Sequence, residues 1–375
     1  MRSCDAIIVG GGPAGSTCAW ALTRAGFDVV VMDRAKFPRD KVCAGWVTPP
    51  VVAALEIDPR QYAAAGLVIE EVRGFRTSAI GGREVSTRYD DVVSYTIRRS
   101  EFDNFLLRRS GAEILDGTPV TACRKAGDHW IVNDAVTAPM LVGAGGHFCP
   151  IARPNRAKAP GSLVVAKEAE FRMPAPDECS TAPDEPELFF CRDLDGYGWA
   201  VRKGAYLNVG LGRRDDRGFG AHLRQFVDYL RALGRIPRAT PDPSRWCGHA
   251  YLLAGAASQP PVGDGYVLVG DSAGLAYRES GEGIRPAVES ALAAAQTIIA
   301  NGGRFDRDDL EPYAARFSDG GSFARALARV VPPVPCSLGR ALLAWPAFTR
   351  LALDRWFLRS TEPTIRLPVS SPATG

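Results

Sequence analysis

The strongest chemical signal lies where the apolar run Ala6-Ile7-Ile8-Val9 breaks into Gly10-Gly11-Gly12-Pro13-Ala14-Gly15. A four-residue apolar run that halts at glycine reads as a buried parallel strand. From Ser16 onward, Ala19, Trp20, Leu22 and Thr23 recur at helical spacing as far as a stop at Gly26, and a second run, Phe27 to Met32, ends at Asp33-Arg34. Strand, glycine turn, helix, strand and acid in this register form a dinucleotide clasp. Gly10 permits the tight turn, Gly12 lets backbone N–H groups approach a pyrophosphate, and Gly15 lets the helix pack against the strand. The helix N-terminus, at Pro13 and Ala14, faces the phosphates. Asp33 accepts from ribose hydroxyls, which favours FAD or NAD over a 2′-phosphorylated nucleotide.

Two further segments carry candidate chemistry. Val267-Leu268-Val269-Gly270-Asp271 is another strand breaking into a turn, and Gly281-Glu282-Gly283-Ile284 precedes the helical run Ala287 to Ala300. Asp271 suits a ribityl or ribose hydroxyl, while Gly281 and Gly283 leave room for backbone amides against a flat ring, where a helix dipole stabilises negative charge. Cys43, in Val42-Cys43-Ala44-Gly45, reads either as a proton donor or redox thiol or as a small buried hydrophobe. Tyr197 and Trp199 alternate with glycines and read either as the lining of an apolar pocket or as ordinary sheet packing. Glu282 reads as a polarising group or a helix-start acid. His147 and His249 lack metal-ligand company and read as structural.

These segments, joined by Arg99-Ser100-Glu101-Phe102-Asp103, Val142-Gly143-Ala144-Gly145-Gly146 and the loop Pro38 to Trp46, resemble the geranylgeranyl reductase branch of the FAD-dependent group that includes aromatic hydroxylases and flavin halogenases. The resemblance implies an α/β fold: a Rossmann-type FAD-binding domain of the glutathione-reductase kind, an antiparallel β-sheet substrate domain and C-terminal helices. It implies FAD held by Gly10, Gly12, Pro13, Ala14, Gly15, Asp33 and Arg34, by Cys43, Ala44 and Gly45, by Arg99 and Val120, by Gly143 and Ala144, and by Gly270, Asp271, Gly281, Gly283 and Ile284. Cys43 and Tyr197 are then the candidate acids, with Tyr197 and Trp199 against the substrate. The activity implied is saturation of carbon–carbon double bonds in an isoprenoid or other lipid-like substrate, by hydride from N5 of reduced flavin plus protonation. The alternative is an FAD-dependent monooxygenase acting on an aromatic or polyketide. Gly274 stands where hydroxylases commonly place His, and the halogenase Gly-Trp-x-Trp-x-x-Pro pattern is absent. A flavoprotein electron carrier is the non-enzymatic reading.

The elements that must position these residues divide the chain of 375 residues discontinuously. Residues 1–66, 96–160 and 260–302 are expected to form the FAD-binding domain, 67–95 and 161–259 the substrate domain, and 303–375 a C-terminal helical segment. Ala221 to Ala232 reads as an amphipathic helix. A net charge of +3 without a basic stripe argues against nucleic acid as a partner. Nine cysteines without a CxxC pair, and no signal-peptide pattern at Met1, point to a reducing, cytoplasmic setting. Aromatics, leucines and arginines mix at helical spacing over residues 339–359, which reads either as a peripheral membrane contact or as a helix hairpin capping an apolar cavity. No second nucleotide motif recurs, so the external electron donor is unassigned by sequence.

Overall fold

The computed structural model describes residues 1–152, 163–173, 179–237, 240–254, 257, 259–318 and 335–359. The apolar runs read as strands lie side by side in a six-stranded sheet. Its order is Val262–Gly263, Tyr266–Leu268, Met140–Gly143, Ala6–Val9, Val29–Asp33, Glu113–Asp116. All neighbours are parallel except the first pair. The inner strands Met140–Gly143 and Ala6–Val9, and Val29–Asp33 up to its terminal acid, are covered on both faces, which is why they are apolar and not alternating.

Helix α1 (Pro13–Arg24) follows the first strand directly. It begins at Pro13, earlier than its apolar periodicity at Ser16 suggests, because proline is tolerated at the first helical position. Helices α2 (Arg99–Arg108) and α4 (Ile284–Ala300) pack with it, and between them α3 (Phe219–Ala232) belongs to the other half of the molecule. Ala19 on α1, and Ala291, Ala294 and Ala295 on α4, are fully buried in the shared core, so the two helices approach through small side chains.

Opposite this layer stands a seven-stranded sheet ordered Cys247–Leu252, Leu163–Arg172, Tyr206–Arg213, Gly196–Lys203, Glu187–Phe190, Gly74–Ala79, Val85–Arg88. It is antiparallel except for Glu187–Phe190 against Gly74–Ala79. Those two strands come from distant parts of the chain, and so long a connection removes the hairpin constraint that favours antiparallel pairing. The alternation over 67–95 predicts one sheet, but the region divides. Ile69–Val72 and Ser94–Ile97 join Trp46–Val47 in a separate three-stranded sheet, and only Gly74–Ala79 and Val85–Arg88 enter the large one. Period-two patterning identifies a half-buried strand without naming its partner.

The C-terminal segment is helical, with Cys336–Leu343, Pro346–Ala352 and a π turn over Leu353–Leu358. Residues 319–334 and 360–375 of the expected helical tail lie outside the described residues.

Candidate active site

Between the two halves runs a cleft of two connected parts. The larger, about 850 Å³, lies within the ~300–1,000 Å³ range of ligand pockets. Gly10, Asp33, Arg34, Val120 and Arg99 line it, together with Arg98, Glu168, Glu170 and His249. The smaller, about 200 Å³, is lined by Gly12, Pro13, Ala14, Cys43, Ala44, Gly45, Ala144, Asp271, Gly281, Gly283 and Ile284, under Tyr197, Trp199 and Trp46. Asp33, Arg39, Lys41, Val42, Arg99 and His249 face both parts.

The glycine turn is built by close approach. A Cβ on Gly10 would fall 2.4 Å from the Ala144 carbonyl oxygen, and Gly10 has φ +115°. A Cβ on Gly15 would fall 1.8 Å from the Gly10 carbonyl oxygen. Gly15, Gly143 and Gly270 therefore stand behind the cleft and do not line it. Gly143 packs against Leu268, and Gly270 against Ala14 and Ala287. Their presence in the pattern reflects packing, which linear sequence does not separate from ligand contact.

The start of α1 has no side-chain cap at Gly12, so its first N–H groups are open to an anion. Nearby, Arg39 forms an ion pair with Asp103 at 3.3 Å, while its buried Nη1 atom has no hydrogen-bond partner among the described residues. Asp103 is itself clamped by Arg99 through two bonds of 2.7 and 2.8 Å. Asp33 accepts from Gly11 N–H at 2.7 Å and from Ala35 N–H at 2.8 Å, so the turn and the acid are fixed together. An uncapped helix start, an unpaired guanidinium nitrogen and a carboxylate at the end of the second strand fit the pyrophosphate and ribose of a dinucleotide.

On the ring side, a polar network holds the Cys43 loop. Cys43 N–H donates to Glu168 Oε2 at 2.7 Å, and Asn208 Nδ2 donates to the Cys43 carbonyl at 3.4 Å. Asn208 also donates to Glu170 at 3.2 Å and accepts from Trp199 Nε1 at 2.7 Å. The fully buried Lys203 ammonium and Arg98 complete the shell of Glu170, at 2.7 and 2.9 Å. Burial pushes Glu168 up to about 8 despite the nearby Lys203. Burial also pushes Glu170 upward, but Lys203 and Arg98 overrule it and hold that carboxylate low. The two acids, two residues apart on one strand face, are thus pushed in opposite directions, Glu168 toward the neutral acid and Glu170 toward the carboxylate.

Lys41 is lowered to about 8, by burial and then by Arg99, with Asp271 and Cys43 pulling the other way. His249 is depressed to about 3 by burial and the neighbouring Lys41, so it stays neutral. Tyr197 donates its hydroxyl hydrogen to the Ser280 carbonyl, and burial raises its pKa well above the ordinary tyrosine value. Behind Tyr197, Phe357 of the π turn packs at 5.7 Å between ring centroids and also meets Trp46 at 6.4 Å and Phe190 at 6.3 Å.

Glu168, Glu170, Arg98, Tyr251 and the cleft position of His249 were not legible as site residues. The sole signal for the first two is a pair of acids at alternate positions in the strand Leu163–Arg172, which also carries Lys167 and Arg172. Among the described residues no cluster of His, Cys, Asp and Glu could hold a metal.

The model of the NAD(P)-binding Rossmann-like domain matches residues 8–39. A menaquinone reductase of Mycobacterium tuberculosis is 30% identical over 354 residues, covering 87% of this chain and 83% of the relative. A geranylgeranyl diphosphate reductase of Rhodobacter capsulatus is 28% identical over 316 residues, covering 79% and 75%. Among solved structures, a geranylgeranyl bacteriochlorophyll reductase-like protein of Thermoplasma acidophilum superposes with a TM-score of 0.73 at 18% identity, covering 95% of this chain and 97% of that one. The halogenase PltM, solved in complex with FAD, gives 0.70 at 15% identity, covering 95% and 82%. With a dinucleotide cleft of this geometry and relatives matched along most of their length, the chain belongs to the geranylgeranyl reductase family of FAD-dependent oxidoreductases.

Proposed function

We propose that the chain saturates carbon–carbon double bonds of an isoprenoid or related lipid. The observation that carries this reading is the aromatic cover of the ring-side cavity, where Tyr197, Trp199 and Trp46 close over the Cys43 loop. An oily wall suits a substrate whose binding comes from buried apolar area, about 25 cal/mol per Å². The names of the relatives support the same class: menaquinone reductase, geranylgeranyl diphosphate reductase and digeranylgeranylglycerophospholipid reductase all denote enzymes of molecules that bear polyprenyl chains.

In this reading Gly10, Gly12, Pro13, Ala14 and Arg39 hold the pyrophosphate of FAD, while Asp33, Arg34 and Val120 hold the adenosine end. Asp271 holds the ribityl chain, and Cys43, Ala44, Gly45, Gly281, Gly283 and Ile284 frame the ring, with Lys41 and Arg99 supplying positive charge. When bound and reduced by an external donor, FAD supplies a hydride from N5. An isolated alkene accepts hydride poorly, so a proton must lead or accompany it, and water must be kept from the developing positive charge. Cys43 provides that proton from a loop pinned by Glu168 and Asn208. Tyr197, its hydrogen engaged by Ser280, serves first as wall and orienting group. The segments 1–66, 96–160 and 260–302 hold the cofactor, 67–95 and 161–259 cover the substrate, and the helical tail closes the cover. Incubating dithionite-reduced holoenzyme with geranylgeranyl diphosphate or menaquinone, then reoxidising any quinol in air before mass spectrometry, tests the reading: each saturated carbon–carbon bond adds one pair of hydrogens, and unchanged lipid in both reactions refutes it.

A further inference from the structure

The wall of the ring-side cavity holds an acid that the proposed chemistry leaves unused. Glu282 stands between Gly281 and Gly283, just ahead of α4, and lines the cavity with Tyr197 and Ile284. It is 9% exposed, and both carboxyl oxygens are sealed from solvent without a hydrogen bond to any described residue. The Arg285 N–H lies near it but outside hydrogen-bond geometry. A carboxylate in such a place is costly, whereas the neutral acid is tolerated.

The charged and titratable groups around it come from four elements. Arg285 and Glu289 lie on α4 and bind each other at 2.8 Å, and Arg285 also donates to the Arg359 carbonyl at 3.1 Å. Arg359, from the end of the C-terminal π turn, pairs with Glu279 at 3.1 Å and stacks 3.6 Å above the Tyr277 ring. Tyr197 faces it from the large sheet, and Tyr277 from the turn before α4. Lys41, Asp271, His249 and Tyr251 line the same cavity. Burial raises Glu282 to about 7, against the pull of the Arg285 and Arg359 guanidiniums and with Glu289 adding to the rise.

Reduction adds negative charge to the cofactor, and a carboxylate in the same water-poor wall would repel it. We propose that Glu282 is a redox-linked proton store for the bound flavin. As two electrons enter the cofactor from the external donor, a solvent proton binds the Glu282 carboxylate and forms its O–H bond. As the cofactor is reoxidised, that bond breaks and the proton returns to the medium, restoring the carboxylate. Near neutral pH, proton uptake thus keeps negative charge on Glu282 from coinciding with negative charge on the reduced ring. The inference rests on the proposed seat of FAD and is independent of the alkene.

The test uses FAD-loaded enzyme without substrate. The midpoint potential of the bound FAD is measured from pH 5.5 to 9 in wild type and Glu282→Gln. The expected wild-type curve steepens above about pH 7, where Glu282 is ionised beside the oxidised ring and regains its proton on reduction, by up to one extra proton per electron pair, and Glu282→Gln lacks that step. Superimposable slopes overturn the proposal. Should Glu282→Gln fail to retain FAD, reduced-minus-oxidised infrared difference spectra of wild type and Glu168→Gln replace it. A protonated-carboxyl band gained on reduction and kept in Glu168→Gln supports Glu282. No such band in wild type, or its loss in Glu168→Gln, overturns it. Because no alkene enters, these results stand apart from those that test the reductase reading.

Discussion

At the scale of single residues, the site separates groups that hold the cofactor from groups that handle protons. In the proposed reading Cys43 is central to the second set: it lines the ring-side cavity, and its backbone is tied at both N–H and carbonyl. Replacing Cys43 with Ala should leave FAD content unchanged while slowing single-turnover lipid reduction by about 100-fold or more, the usual weight of a general acid. Stopped-flow absorbance of prereduced enzyme checks this, and an unaltered rate moves the acid elsewhere. Gly10, Gly12 and Asp33 are readable in the sequence because each answers a local demand: a positive φ, a close backbone approach, an acid at a strand end. Glu170, Asn208 and Lys203 are not, because they meet only through strand register, in which Glu170 stands opposite Asn208 and Lys203 opposite Tyr206. No spacing along the chain announces that meeting.

At the scale of elements, the clasp depends on how closely α1 approaches the strand before it. A Cβ on Gly15 would lie far inside contact distance of the Gly10 carbonyl, a backbone atom that cannot swing aside. Gly15→Ala should therefore open the turn and destabilise the protein by about 1–3 kcal/mol, the usual cost of overpacking. Thermal unfolding of the apoprotein and titration with FAD measure the two effects separately. Wild-type stability and affinity together would show that the turn relaxes freely. The first strand, helix and acid were legible because periodicity and glycine spacing coincide there. The division of residues 67–95 between two sheets was not, because alternation is the same whichever sheet a strand joins.

At the scale of the whole molecule, the C-terminal segment presents two faces. Inward, Leu353, Phe357 and Leu358 complete the aromatic cover. Outward, Leu338, Trp345, Leu351 and Trp356 are exposed at 52%, 59%, 60% and 37%, beside Arg340, Arg350 and Arg355. Among the described residues no helix is long and apolar enough to cross a membrane. In the proposed reading, the exposed aromatics, leucines and arginines make an interfacial contact that brings a lipid substrate to the cleft. Replacing Trp345 and Leu351 with Ser should weaken flotation with anionic liposomes while leaving FAD content intact, and undiminished flotation would refute this contact. The sequence reading of this segment held both roles open, since helical spacing cannot say which face meets the protein. In the proposed reaction, electrons stored on FAD in this cleft pass to a carbon–carbon double bond. This transfer is tested most directly by photoreducing the holoenzyme without oxygen, adding a polyprenyl lipid and following the flavin absorbance. The account predicts reoxidation in step with appearance of the saturated lipid; a flavin that stays reduced until oxygen is admitted, and then yields an oxygenated product, would contradict it.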